Sequence, residues 1–214
     1  MVKPGQIHKK GLVILFEGID GVGKTTQLRL VQEALTKLGR SVHATRNLGG
    51  TPIGEALREV TLSPTERSPE TDLYISVAIQ SALADSIQAE RQEGKVVLVD
   101  RGPLSLAAYH IYGNGVDSQL GWRYADDGMR RFAPDLVILY QTDLDTALSR
   151  TKRRHGKTDY FASQPKAYFK RVVSGFSEAS KRYPVHIINA SGSIDEVHRE
   201  TMTSIEKLLS KNQA

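Results

Sequence analysis

Cysteine is absent from this sequence of 214 residues, which excludes disulfide bonds and thiolate metal sites and suits a reducing cytosol. Long apolar runs are also absent, since nothing approaches the roughly 20 apolar residues of a membrane span. The apolar stretch at residues 12–16 is too short for the core of a signal peptide and runs directly into a glycine-rich motif. We therefore expect a soluble, cytoplasmic protein with no export signal and no membrane partner.

Basic residues exceed acidic ones modestly, with 29 Lys and Arg against 24 Asp and Glu, and the formal net charge is +5. Such a balance suits nucleic acid, a membrane surface or small phosphorylated ligands, so the positions of the charges must decide between them. The length and a hydrophobic content of 39% permit one well-buried core. We predict a single domain over residues 1–214.

Short apolar runs rich in β-branched residues alternate with helical patterns along the chain. The five predicted strands are residues 12–16, 41–46, 95–100, 135–140 and 185–190. The predicted helices are residues 24–38, 70–93, 144–154, 165–182 and 194–209, with Asp143 and Ser193 as N-caps. Loops are predicted at residues 62–70 and 112–123. Continuous apolar strands separated by helices indicate an α/β, doubly wound five-stranded parallel sheet with helices on both faces.

The run FEGIDGVGKTTQ, residues 16–27, follows the first predicted strand and opens the first predicted helix. It fits the P-loop pattern G-x-x-x-x-G-K-[ST], in which backbone N–H groups and a helix N-terminus hold phosphate oxygens. Lys24 is expected to contact the β- and γ-phosphates and Thr25 the Mg²⁺. The alternative is an accidental glycine-rich turn. The predicted nucleotide-binding residues are Gly18, Ile19, Asp20, Gly21, Val22, Gly23, Lys24, Thr25 and Thr26.

The run VVLVDRG places Asp100 and Arg101 at the end of a buried strand, beside the expected position of the P-loop. A carboxylate at this point can hold Mg²⁺ or its water shell. The arginine then presents a bidentate phosphate-binding group over the carboxyl ends of the strands. The alternative is a solvated salt bridge at a strand end.

The third candidate phosphate-binding feature is a basic segment at residues 148–161. Arg150, Arg154 and Lys157 fall at helical spacing on one face of it. We predict a helical lid at about residues 150–163 that closes over the transferring phosphoryl group and neutralises its charge. The alternative is a solvated helix end whose basic residues meet the helix dipole. Because the basic residues concentrate here, without a long stripe interleaved with aromatics, no nucleic-acid partner is expected.

The chain resembles the thymidylate kinases over nearly its whole length. The resemblance lies in the P-loop run and in ATRNLGGTPIGEALRE (residues 44–59), DRGPLSLAAYH (residues 100–110), RTKRRHGKTDYF (residues 150–161) and YFKRVVSGF (residues 168–176). It implies transfer of the ATP γ-phosphoryl group to a nucleoside monophosphate, dTMP first among them, with Mg²⁺. It also implies a homodimer.

The resemblance assigns acceptor-binding roles to residues at matching positions. It implies that Asp20 lies near the acceptor sugar and phosphate, and that Arg46 and Arg101 bind the acceptor phosphate. Ser105 and Tyr109 are implied to lie along the acceptor nucleoside.

The residues expected to act in catalysis are Lys24, Arg101, Arg150 and Arg154, the last two in the lid. Gly21 occupies a P-loop position where some thymidylate kinases carry a catalytic arginine. That difference, together with the basic lid, resembles the members that supply the catalytic cation from the lid.

The acceptor half of the site departs from the family pattern. We align the chain with the family pattern by counting back without gaps from the Asp-Arg pair. The family's base-stacking aromatic then corresponds to Ser76, its thymine-binding arginine to Ile79 and a following glutamine to Ser81. Asn47 replaces a glutamate and His110 a glutamine. Such polar and aromatic groups generate base discrimination, so the donor half looks intact while the acceptor half looks rebuilt.

Two further departures leave alternatives open. In the lid, residues 159–162 lack one basic and one acidic residue that the family pattern has at these positions. Tyr74 is a candidate to replace the missing stacking ring, although its helical spacing is more typical of a core residue. The alternatives to a dTMP kinase are therefore a kinase with another nucleotide, nucleoside or small-molecule acceptor, and a nucleotide-binding regulatory protein that has lost turnover.

Overall fold

The computed structural model describes residues 11–154 and 164–212, the side chains of Arg153 and Arg154 excepted. Within these ranges one sheet holds five parallel strands, in the spatial order β2-β3-β1-β4-β5. The strands are β1 (Leu12–Glu17), β2 (Val42–Arg46), β3 (Val96–Asp100), β4 (Leu136–Gln141) and β5 (His186–Asn189). This order, with β1 in the middle, β3 and β2 on one side and β4 and β5 on the other, confirms the predicted doubly wound fold.

The sheet register sets the edge on which a site can form. All six residues of β1 are buried, as expected for a central strand covered on both faces. Phe16 of β1 is level with Asp100 of β3, and Asp100 is level with Arg46 of β2. The carboxyl ends of three neighbouring strands therefore open at the same edge of the sheet, which is where ligands bind in open α/β folds.

Eight α-helices and one π-helical segment occupy the described ranges and cover the sheet. Helices α1 and α8 contact each other and the strands, whereas α3 packs on β1 and β3 and meets α5. The helices are α1 (Lys24–Lys37), α2 (Pro52–Leu62), α3 (Pro69–Gln92), α4 (Pro103–Leu106), which continues into the π-helical segment (Ala107–Gly113), α5 (Ser118–Phe132), α6 (Leu144–Arg154), α7 (Lys166–Arg182) and α8 (Ile194–Lys211).

Helix capping accounts for both the successes and the errors of the predicted boundaries. The predicted caps are confirmed, since Asp143 accepts a hydrogen bond from the Thr146 N–H and Ser193 forms a capping box with Glu196. The loop prediction for residues 112–123 is wrong at both ends, because the π-helical segment continues to Gly113 and the Asp117 carboxylate caps α5.

The predicted loop at residues 62–70 is shorter than expected, and α2 before it was not predicted. Pro52 and Pro69 open α2 and α3 at positions where proline fits the first helical turn. Between the two helices Arg67 donates to the Asp72 carboxylate at 2.7 Å and to the Thr61 carbonyl at 2.5 Å. In the part of the chain that the structure describes, every helix is too short or too polar to span a membrane.

Candidate active site

The loop between β1 and α1 has the backbone shape that phosphate binding requires. Gly18, Gly21 and Gly23 have φ angles of 133°, 84° and 100°, a region that side chains rarely allow. A Cβ at Gly18 would lie 2.5 Å from the Tyr140 carbonyl oxygen, so no larger residue fits there. The loop then leads directly into α1, which begins at Lys24. Both the glycine spacing and the helix N-terminus predicted from the sequence are present.

The Lys24 side chain lies folded inside this loop. Its Nζ donates to the Ile19 carbonyl oxygen at 2.9 Å, and the residue is buried. Burial and the nearby Arg101 charge lower the pKa of Lys24 to about 8, while Asp100, Asp20 and Glu17 act in the opposite direction. An ammonium held this way is incompletely neutralised and is stabilised by an arriving phosphate group.

Thr25 and Asp100 form a compact pair of oxygen ligands beside the loop. The Thr25 hydroxyl donates to Asp100 Oδ2 at 2.9 Å. Asp100 Oδ1 is buried and has no hydrogen-bond partner among the described residues. A buried carboxylate oxygen without a partner is costly unless a ligand occupies it, and Mg²⁺ prefers oxygen ligands. The two residues therefore fit the predicted magnesium site.

Arg101 connects the P-loop to a cavity beside it. Its guanidinium donates to the Gly18 carbonyl oxygen at 3.1 Å and to Asp20 Oδ1 at 2.6 Å. The same group donates to Ser105 Oγ at 3.1 Å and to the Tyr109 hydroxyl at 3.2 Å. Its carbon also lies 5.0 Å from the centre of the Tyr109 ring, a cation–π distance. Four residues predicted at the acceptor site, Asp20, Arg101, Ser105 and Tyr109, are thus brought together.

The cations of this cluster keep the Asp20 carboxylate ionised. Burial opposes ionisation of Asp20, but the Arg101 guanidinium and the Lys24 ammonium hold its pKa well below the ordinary value.

Arg101 itself has a φ of 70°, in the left-handed region, which is unusual for a residue with a side chain. Such backbone strain is typical of functional sites, where the surrounding structure fixes one side-chain direction.

Glu17 lies under the cluster and was missed in the sequence. This fully buried carboxylate accepts hydrogen bonds from the N–H groups of Leu104 and Ser105, at 3.1 and 3.3 Å, and from Ser105 Oγ at 2.5 Å. It therefore joins the last residue of β1 to the first turn of α4. Burial raises the pKa of Glu17 against the opposing effects of these hydrogen bonds and of Arg101. An acidic residue that ends an otherwise apolar strand was the available signal.

The acceptor cavity is the space of about 510 Å³, partly open to solvent, that Arg101 and Tyr109 border. Two leucines, Leu48 and Leu106, supply apolar wall, and two polar side chains, Ser76 and His110, face the same space. Asp20, Asn47 and Ser105 complete its lining. A mostly apolar concave site with a few placed polar groups is typical of small-ligand binding.

A second open cavity lies on the other side of the P-loop. It is bordered by Gly21, Gly23 and Thr26 of the loop region and by the segment at residues 190–194 after β5. Arg150 lines it too and donates to the Ala190 carbonyl oxygen at 3.2 Å. The P-loop thus separates two cavities, as a reaction between two bound molecules requires.

A family model described as thymidylate kinase matches residues 16–201 of the chain. The chain belongs to the thymidylate kinase family. The thymidylate kinase of Pelotomaculum thermopropionicum is 36% identical over 206 residues, which cover 94% of this chain and 95% of that protein. That of Bacillus licheniformis is 33% identical over 209 residues, covering 95% and 99%. The crystal structure of thymidylate kinase from Ehrlichia chaffeensis matches with a TM-score of 0.73 and 27% identity, covering 92% of this chain and 98% of that one.

Other predicted site residues lie elsewhere or outside the described part of the chain. Arg46 is about half exposed and pairs with Glu55 at 2.8 Å, and it does not line the acceptor cavity. The Arg154 side chain, like residues 155–163 of the predicted lid, lies outside the described residues. Tyr74, expected to be a core residue, is instead 50% exposed and meets Tyr124 edge to face.

The three positions that match base-binding residues of thymidylate kinases lie in different surroundings in this structure. Ile79 is completely buried in the core, and Ser81 accepts a hydrogen bond from Arg131 at 2.6 Å, away from the acceptor cavity. Ser76 alone of these three lines the cavity. The predicted rebuilding of the acceptor half therefore concentrates on Ser76 and on His110, which contacts it.

Gly21 is enclosed by α6. A Cβ at this position would lie 2.0 Å from the Ala147 carbonyl oxygen and 2.7 Å from Thr151 Oγ1. Where some thymidylate kinases carry a P-loop arginine, this chain thus packs a helix backbone directly on the loop. A cation for the transferring phosphate has to come from another element.

Proposed function

We propose that the protein transfers the γ-phosphoryl group of ATP to dTMP and so forms dTDP and ADP. The observation that carries this proposal is the position of Arg101, whose guanidinium contacts the P-loop at Gly18 and the acceptor cavity at Ser105 and Tyr109. One cation is thereby shared between the donor and acceptor sides. Membership of the thymidylate kinase family supports dTMP as the acceptor.

The donor side is assigned to the P-loop, residues 18–26. The backbone N–H groups hold the phosphates of ATP, and Lys24 exchanges its bond with the Ile19 carbonyl for one with a phosphate oxygen. Thr25 and Asp100 would hold Mg²⁺, directly or through its water shell. When bound, Mg²⁺ supplies charge neutralisation of the β- and γ-phosphate oxygens.

The acceptor side is assigned to the Arg101 cluster. Arg101 binds and orients the dTMP phosphate, and Asp20 holds the guanidinium in place. Ser105 and Tyr109 lie along the nucleoside. Positioning and neutralisation by fixed charges suffice for in-line phosphoryl transfer, so no covalent intermediate is needed.

Arg150 and Arg154 are assigned to the donor side and to the lid. Arg150 borders the donor cavity beside the P-loop. Arg154 remains the predicted lid cation, and the glycine at position 21 leaves this role to it. Arg46, paired with Glu55 and half exposed, is assigned no contact with the acceptor phosphate in this arrangement.

A panel of acceptors tests the proposal. The protein is incubated with ATP, Mg²⁺ and one of dTMP, dUMP, dCMP, dGMP or dAMP, and ADP release is followed. We expect dTMP to accelerate ADP release most. A preference for another acceptor would favour the second candidate, a kinase with a different substrate, which the replaced residues Ser76 and His110 support. Absence of acceleration by every acceptor would contradict the proposal and leave a nucleoside or small-molecule acceptor, or the regulatory alternative.

The expected homodimer and the cytoplasmic location remain predictions. Light scattering on a size-exclusion column, at several protein concentrations, tests the first. We expect a mass near twice that of the 23.6 kDa chain, and a mass of one chain throughout would contradict it. The structure offers half-exposed Tyr74 on α3 and the partly buried Tyr124 beside it on α5 as one surface to probe.

A further inference from the structure

Ser76 and His110 form a hydrogen-bonded pair in the wall of the acceptor cavity. Ser76 Oγ lies 3.0 Å from His110 Nε2, and both residues are at least nine-tenths buried. Both also line the cavity that Arg101 borders. Neither side chain is of the type that the family resemblance implies at its position. A buried polar pair facing a cavity is expected to have a hydrogen-bonding role toward the ligand.

The second nitrogen of the His110 ring points to a fixed negative charge. His110 Nδ1 lies 3.9 Å from Asp72 Oδ2 and has no hydrogen-bond partner among the described residues. Arg67 at 2.7 Å and the Asn114 amide at 3.2 Å hold the Asp72 carboxylate in place. The charge at Asp72 favours the ring tautomer that carries its proton on Nδ1.

This tautomer decides which partner donates in the Ser76–His110 bond. Burial lowers the pKa of His110 to about 4, with Asp72 opposing this and Arg67 adding to it, so the ring is neutral near pH 7. A neutral ring protonated on Nδ1 has a lone pair on Nε2. Ser76 must then donate its hydroxyl proton to Nε2, and its oxygen keeps lone pairs that can accept a hydrogen bond from a ligand.

We propose that Ser76, oriented by His110 and Asp72, accepts a hydrogen bond from the ring N–H of the acceptor base. The substrate class is a nucleoside monophosphate whose pyrimidine carries a proton on N3, as thymine and uracil do. Cytosine presents an acceptor at the same position and is disfavoured, because two acceptors then face each other. This inference rests on the proposed function, since it specifies how the same cavity selects its acceptor.

Kinetics of Ser76→Ala test the selection. We expect kcat/KM for dTMP and for dUMP to fall about tenfold or more, and that for dCMP to change far less, because only the first two lose a hydrogen bond. Ser81→Ala is the matched control, since Ser81 is on the same helix and bonds Arg131 outside the cavity. An equal loss for all three acceptors, or no loss for any, would overturn the proposal.

A second measurement tests the tautomer without using activity. Nitrogen-15 NMR of the wild-type protein distinguishes the two neutral tautomers of a histidine ring, and His110→Gln assigns the signal among the 6 histidines. We expect the proton on Nδ1. A proton on Nε2 would make Ser76 the acceptor within the pair and would overturn the proposal, whatever the kinetics show.

Failure of this inference is distinguishable from failure of the proposed function. If wild-type protein phosphorylates no nucleotide, the proposed function fails, and the NMR measurement still tests the Ser76–His110 pair. If wild-type protein phosphorylates dTMP but Ser76→Ala leaves its ratio to dCMP unchanged, the proposed function stands and the assignment of Ser76 is wrong. Circular dichroism of Ser76→Ala and Ser81→Ala confirms that both fold.

Discussion

Arg101 and Asp20 form an ion pair of 2.6 Å, although they are separated by 81 residues in the chain. Asp20 belongs to the P-loop and Arg101 to the turn after β3, so the pair connects the ends of two adjacent parallel strands. Because the same guanidinium reaches Ser105 and Tyr109, the pair fixes the acceptor cavity relative to the donor loop. Much of the proposed mechanism depends on this geometry.

Replacing Arg101 tests whether the planar guanidinium is required. A lysine keeps the charge but cannot make the four contacts at once. We expect Arg101→Lys to lower kcat/KM for dTMP by about 100-fold or more, with a much smaller change in the KM for ATP. Arg131→Lys is a control, since that arginine pairs with Asp85 and Ser81 away from the cavity. Full activity of Arg101→Lys in steady-state assays would contradict the assignment.

The shifted pKa of Lys24 predicts a pH dependence of ATP binding. The pKa is about 8 in the ligand-free protein, below the ordinary 10.5, so the ammonium loses its proton as the pH rises through that value. ATP phosphates favour the charged form, so binding above the pKa must take up a proton. We expect the Kd for ATP to be constant below about pH 7 and to rise by up to about tenfold per pH unit above pH 8.

Calorimetry measures this proton uptake directly. Titrations at about pH 8.5 in two buffers of different ionisation enthalpy give the number of protons bound with ATP. Lys24→Arg is the control, because its guanidinium stays protonated throughout and should remove the dependence. Wild-type binding without proton uptake would show that Lys24 is fully charged before ATP arrives.

The close approach of α6 to the P-loop predicts an unusual cost for a methyl group at position 21. Gly21→Ala must displace the Ala147 carbonyl, whereas a Cβ at Gly39 meets no atom within 4 Å among the described residues. Both glycines have positive φ, at 84° and 73°, so both substitutions carry a similar backbone strain of about 1–2 kcal/mol. We expect Gly21→Ala to lose about 1–3 kcal/mol more than Gly39→Ala in the free energy of unfolding. Equal values in urea titrations would contradict the packing.

The two arginines of the lid region are predicted to act differently. Arg150 is bound to the Ala190 carbonyl in the donor cavity, so Arg150→Ala should raise the KM for ATP more than it lowers kcat. Arg154→Ala should instead lower kcat more than it raises KM, because a closing lid acts mainly in the transition state. Initial-rate measurements with each variant check both. The reverse pattern would exchange the two roles.

The fold was predictable because its signals are local. Buried parallel strands appear as continuous apolar runs, and the glycines of the P-loop identify a backbone shape directly. The second half of the segment at residues 112–123 was misread because Gly121 suggested a loop, whereas capping by Asp117 and packing against Ile111 admit a helix. The helix propensity of single residues is a weak guide where tertiary contacts determine the secondary structure.

The site was predictable only in part because its contacts join distant residues. The sequence identifies Asp20, Arg101, Ser105 and Tyr109 through motifs, and the structure brings them together. It does not reveal that Glu17 accepts hydrogen bonds from residues 87 and 88 positions further along. The sequence does not reveal the Arg46–Glu55 ion pair either. The same holds for the side-chain contacts that link Ser76 to His110 and His110 to Asp72, because folding brings these residues together.

Product analysis tests the central claim most directly. The protein is incubated with ATP, dTMP and Mg²⁺, and the nucleotides are separated by ion-exchange chromatography, with Lys24→Ala assayed in parallel. We expect wild-type protein to form dTDP and ADP in equal amounts, and Lys24→Ala, with an unchanged circular dichroism spectrum, to be slower by at least about 100-fold. ADP without dTDP, or an equally active Lys24→Ala, would contradict phosphoryl transfer to dTMP at this P-loop.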